Sequence, residues 1–103
     1  MDRWAHRVRA LRRALGLTQE RFGLVVGASF VSVNRWEQGH ARPESHVAEL
    51  ALIEFCLERH PAEVVIGALE RERDTRSRIL TLAELLSGRQ APRSQRRGQT
   101  FSS

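Results

Sequence analysis

The sequence predicts an all-α protein: a bundle of about five helices, a C-terminal helical extension and a disordered tail. Three observations carry this. Apolar residues recur at helical spacing from the start, as Trp4, Val8, Leu11 and Leu15. Glycines stand where such patterns stop, at Gly16, Gly27 and Gly39. Hydroxyl side chains stand just ahead of new patterns, at Thr18 and Ser29. With 103 residues, the chain has room for one modest core.

The first helix is expected from Asp2 or Arg3 to Leu15, its apolar stripe flanked by Arg3, Arg7, Arg9 and Arg13. Asp2 near its start and Arg12–Arg13 near its end complement the helix dipole. A second helix, roughly Gln19 to Val26, buries Phe22, Val25 and Val26. Gly23 inside it costs about 1 kcal/mol relative to Ala, so it is expected to allow close approach of the third helix. That third helix should cover Phe30 to Gln38, with Val33 and Trp36 inward. Phe30, Val31, Ser32, Asn34, Arg35 and Gln38 are left on or beside its outward face. An outward Phe–Val pair suits an apolar contact such as a thymine methyl; alternatively, Phe30 folds back into the core.

His40–Pro43 reads as a loop. A fourth helix is expected from about Ser45 to Arg59, with more apolar positions than one packing surface needs. Its second covering is therefore either the fifth helix or a second copy of the chain. Pro61 suits the first turn of the fifth helix, with Val64, Val65, Ile66 and Leu69 as its apolar face. The run Glu70–Arg78, ERERDTRSR, has no apolar residue and is expected to be exposed helix or connector. Ile79, Leu80, Leu82, Leu85 and Leu86 follow, and Thr81-x-x-Glu84 has the form of a capping box. One long helix or two remains open. The expected domains are residues 1–60, a C-terminal helical extension over 61–87 that suits dimerisation, and a basic tail over 88–103 with little to bury.

The charge is +5, and all 17 basic residues are Arg. Residues 1–42 hold eight Arg against three acids, residues 43–87 hold five against nine, and the tail holds four with none. A basic N-terminal half beside an acidic second half suggests one side facing a polyanion and one facing away. No apolar run approaches the ~18 residues of a membrane span, and the charged N-terminus has no apolar leader. The lone Cys56 reads as a buried packing residue in a reducing compartment. His6, His40, His46 and His60 show no metal-ligand spacing, so neither metal nor cofactor is expected. An enzyme is disfavoured too, because no Gly-rich phosphate loop and no nucleophile motif is present.

Leu17-Thr18-Gln19-Glu20, Gly27-Ala28-Ser29, Val33, Arg35-Trp36-Glu37, Gly39 and Arg42-Pro43 stand in register. As a set they resemble the helix-turn-helix of Cro/repressor-type (Xre-like) bacterial and phage regulators, over about residues 6–59. The resemblance implies a lambda-repressor-like fold and a cytoplasmic, nucleoid-associated protein of bacterial or phage origin. It implies that Gln19 touches a phosphate and that Phe30, Val31, Ser32, Asn34 and Arg35 reach bases in the major groove. The expected DNA-binding set is Thr18, Gln19, Ser29, Phe30, Val31, Ser32, Asn34, Arg35, Gln38, His40 and Arg42. It also implies an Arg12–Glu37 pair holding the third helix against the first. Gly23 stands where that family usually has Ala. Phe30 and Val31 stand where polar base readers are frequent, which shifts the expected hydrogen bonding to Asn34 and Arg35. The continuation RPESHVAELALIEFCLERHPAEVVIGAL is similar to the end of short antitoxin-type regulators, which repress their own promoters. The expected function is a homodimeric repressor on a palindromic double-stranded operator. The alternative is an antitoxin or interaction module that neutralises a partner protein, such as a toxin, through residues 61–87.

Overall fold

The computed structural model describes residues 3–88, and within them the chain is helical with no strand. Its elements run α1 (Arg3–Leu15), α2 (Gln19–Val26), α3 (Phe30–Glu37), a 3-10 turn (Glu44–His46), α4 (Val47–Leu57), α5 (Ala62–Glu70) and α6 (Thr75–Ser87). Asp2 and most of the expected tail lie outside the described residues.

The N-terminal helices start and stop for local reasons. Thr18 Oγ1 accepts from the Arg21 amide at 3.1 Å and Ser29 Oγ from the Ser32 amide at 3.0 Å, so each caps an otherwise orphaned N–H. Gly27 ends α2 at φ 72°, a left-handed conformation that glycine takes without strain. The turn explains Gly23 as well. A Cβ there would lie 2.6 Å from the Ala28 carbonyl oxygen, so the close approach comes from the turn and not from α3 itself.

One buried cluster joins all the helices. Trp4, Val8, Leu11 and Leu15 of α1 meet Phe22, Val25 and Val26 of α2, Val33 and Trp36 of α3, and Leu50, Ile53 and Cys56 of α4. Val65 and Leu69 of α5 and Leu82 and Leu85 of α6 belong to the same cluster. Each fully buried Leu, Ile, Val or Phe contributes about 1.5–3 kcal/mol of transfer free energy. Cys56 is buried and free, and its Sγ donates to the Leu82 carbonyl at 3.6 Å. His60 Nε2 lies 3.2 Å from the Leu85 carbonyl, tying the α4–α5 corner to the end of α6.

The second half departs from expectation in four places. A 3-10 turn replaces the start of the fourth helix, and α4 begins at Val47. The main neighbour of α4 is α6, which covers the Glu49, Leu50, Ile53 and Cys56 side and leaves Phe55 55 % exposed. Thr81-x-x-Glu84 caps nothing. The helix starts seven residues earlier at Thr75, capped by Asp74 Oδ1 accepting from the Ser77 amide at 2.8 Å. Thr81 instead lies mid-helix and donates to Glu72 Oε2 at 3.0 Å. Arg78, expected on an exposed segment, is 4 % exposed because it follows the inward register of Leu82 and Leu85.

Candidate nucleic-acid interface

The interface is built on α3, whose two faces have opposite chemistry. Val33, Trp36 and Glu37 are buried, while Phe30 is 52 % and Val31 61 % exposed. Phe30 therefore does not fold back into the core. Ser29 and Arg35 are exposed and Ser32 and Asn34 half-buried, so these side chains and the Phe–Val pair open the N-terminal and outward face together. A helix presented this way has the width to enter a major groove.

Glu37 fixes the rear of α3. Arg12 reaches it with two hydrogen bonds, Nε to Oε2 at 2.6 Å and Nη2 to Oε1 at 3.0 Å, the bidentate geometry that suits guanidinium and carboxylate. Arg9 adds a hydrogen bond to the Glu37 carbonyl at 2.8 Å. The pair implied between Arg12 and Glu37 is thus formed, and it joins α1 to α3. Burial pushes the Glu37 carboxyl up. Hydrogen bonds from Arg12 and Gln19 and the charges of Arg12 and Arg9 outweigh it, leaving the pKa below the ordinary value.

Gln19 sits between this anchor and the outward face. Its Nε2 donates to Glu37 Oε1 at 3.0 Å, and its Oε1 accepts from Asn34 Nδ2 at 3.2 Å. The first residue of α2 and a candidate base reader of α3 are therefore held together. Thr18 is exposed at the N-cap of α2, next to the free N–H groups that favour a phosphate. Arg35 is exposed, its Nη2 3.3 Å from the His40 carbonyl. Gln38, His40 and Arg42 follow as exposed side chains in the segment after α3. The structure thus groups Gln19, Asn34 and Glu37 by hydrogen bonds and Arg35 with His40, while Gln38 and Arg42 are placed by chain position alone.

Sequence reasoning missed the support beneath this surface. Under the α2–α3 turn lie Arg78 and Glu49, paired Nε to Oε2 at 2.6 Å with both side chains out of solvent. His46 packs there too, its ring 5.2 Å from that of Trp36. Burial, then the Arg78 charge, lowers the His46 pKa against the opposing pull of the Val26 and Gly27 backbone. The available signal was register: Arg78 shares a face with Leu82 and Leu85, and Glu49 adjoins Leu50 and Ile53 on the inward side of α4.

Among the described residues, no group of three or more His, Cys, Asp or Glu could hold a metal ion, and no helix is long and apolar enough to cross a membrane. Residues 8–52 match the helix-turn-helix family, a span that contains α2, the turn, α3 and their anchors. No curated protein and no solved structure matches the chain. This segment is a helix-turn-helix domain similar to those of Cro/repressor-type (Xre-like) regulators, which supports a DNA-binding regulator.

Proposed function

We propose that the chain is a sequence-specific transcriptional repressor that binds a palindromic operator as a homodimer and controls its own promoter. The observation that carries this is the split character of α3. Its rear is locked by Val33, Trp36 and the Glu37 ion pair, while Phe30, Val31, Asn34 and Arg35 are offered outward. Asn34 suits adenine and Arg35 suits guanine, with Phe30 and Val31 against thymine methyls. Thr18, Gln19 and Ser29 serve phosphates at helix N-termini, and His40 and Arg42 serve the backbone beyond α3.

A lone unit of this size contacts few base pairs. Two-fold pairing sets two recognition helices about 34 Å apart on one face of the duplex. Phe55, Val47 and Leu80 are large apolar side chains left exposed on α4 and α6, and they support pairing through the second half of the chain. Val64 and Leu80, exposed on residues 61–87, equally support the second reading, an antitoxin-like module that docks a partner protein there.

Selection of bound sites from a random duplex pool, with sedimentation of the free chain, tests the first reading. Palindromic sites and a dimer are expected. Monomeric protein selecting asymmetric sites contradicts the dimer, and a pool without enrichment contradicts sequence-specific binding.

A further inference from the structure

Val26 closes α2, and only Gly27, Ala28 and Ser29 separate it from α3. The conformation of those three residues sets how the recognition helix sits on the helix before it. The last carbonyls of a helix have no partner within it, and the Val26 carbonyl, which also faces His46, accepts from Arg78 Nη2, 52 residues later in the chain, at 3.0 Å. The same guanidinium gives Nε to Glu49 at 2.6 Å, and Nη2 also reaches Thr75 Oγ1 at 3.2 Å. It is held from three sides in a plane it cannot easily leave.

Gly27 shows how close the fit is. A Cβ on that residue would lie 2.6 Å from Arg78 Nη2, so the turn rests directly on the guanidinium. Charge agrees with geometry, since a cation at a helix C-terminus meets the negative end of the dipole. Glu49 is 0 % exposed on α4, and its Oε1 has no hydrogen-bond partner. A buried pair with an unsatisfied oxygen is a poor source of net stability, since apolar residues of similar volume often do as well or better. Its geometry, however, ties three elements together at one point: the end of α2, α4 and α6.

We infer that Arg78 is a positioning residue for DNA recognition, holding the α2–α3 turn from beneath, so that α6 is part of the reading head. This rests on the proposed DNA-binding function. Phosphate contacts tolerate small shifts in orientation, whereas base-edge contacts carry the sequence information and depend on where α3 lies. Loss of the Arg78 contact therefore lowers discrimination between sites more than it lowers general affinity for DNA.

The test uses the full chain and a duplex selected by the wild type, with a scrambled duplex as reference. Arg78→Met alone strands Glu49, so the informative variant is Arg78→Met with Glu49→Leu, which removes both charges and keeps the volume. The expected result is a folded, cooperatively melting protein. Its preference for the selected over the scrambled duplex falls about tenfold or more, while binding to the scrambled duplex stays unchanged. Amide hydrogen exchange across Gly27–Ser32 accelerates, and that across α4 does not. Arg78→Lys, which keeps the charge without the planar fork, is expected to lose part of the preference and covers the case in which the double variant fails to fold. A folded variant with wild-type preference and unaltered exchange at the turn overturns the inference. If the wild type enriches no duplex, the DNA-binding reading falls, and the exchange measurement alone then decides whether Arg78 holds the turn.

Discussion

Asn34 on α3 donates its side-chain amide to Oε1 of Gln19 at 3.2 Å, across the helix-turn-helix. Gln19 in turn donates to Glu37, so the proposed base reader Asn34 is oriented through a residue whose expected partner is a phosphate. Gln19→Ala and Asn34→Ala should not act independently. On a selected duplex, a double-mutant cycle is expected to give a coupling of about 0.5–3 kcal/mol. Additive losses would show that the hydrogen bond does not persist in the complex.

Glu37 makes the domain sensitive to acid. Its pKa is depressed in the folded chain, so its contribution is fully present above the unfolded carboxylate value of about 4.3. That contribution is lost as pH falls through the lower folded value. Glu37→Gln should flatten the acid side of the stability profile and cost about 2 kcal/mol at neutral pH, because Arg12 loses its charged partner. Denaturant titrations across pH measure both effects. An unchanged acid slope contradicts the assignment.

Two glycines in helices should respond to alanine with opposite signs. Helix propensity favours Gly→Ala at both by up to about 1 kcal/mol. At Gly67 in α5 nothing lies within 4 Å of the added methyl, so Gly67→Ala is expected to stabilise. At Gly23 the methyl meets the Ala28 carbonyl at 2.6 Å, a backbone atom of the turn. Gly23→Ala is expected to destabilise by about 1–3 kcal/mol and to weaken DNA binding by moving α3. Thermal melts of the two variants decide it; a stabilised Gly23→Ala would mean that the turn relaxes freely.

The N-terminal half was legible because its instructions are local. Thr18, Gly27, Ser29 and Gly39 each act within one turn of themselves, and α2 and α3 fall where those residues put them. The Arg12–Glu37 pair came from a resemblance of motifs and not from periodicity, since contacts between helices leave no local trace. The second half misled for a physical reason. A capping box is a pattern of residue types, and Thr81-x-x-Glu84 satisfies it while Asp74 does the capping. Arg78 fell in a run expected to be exposed because composition ignores register, yet it and Glu49 lie on the inward faces of their helices and pair there, out of solvent.

The outward apolar pair sets the character of the interface. Phe30→Ala and Val31→Ala should each reduce affinity for a selected duplex, with little change in melting temperature because both side chains are largely exposed. The losses should concentrate on sites that contain thymine at one position, since its methyl is the group they are proposed to meet. Binding assays with uracil in place of thymine check this directly.

The central claim is that α3 reads bases with Asn34 and Arg35 from a frame fixed by Glu37. Its most direct test is the affinity of Asn34→Ala/Arg35→Ala for a duplex selected by the wild type, beside its affinity for a scrambled duplex. The expected variant is folded, loses about 1–3 kcal/mol for each bidentate base contact and binds both duplexes alike. A variant that keeps wild-type affinity and preference would contradict it.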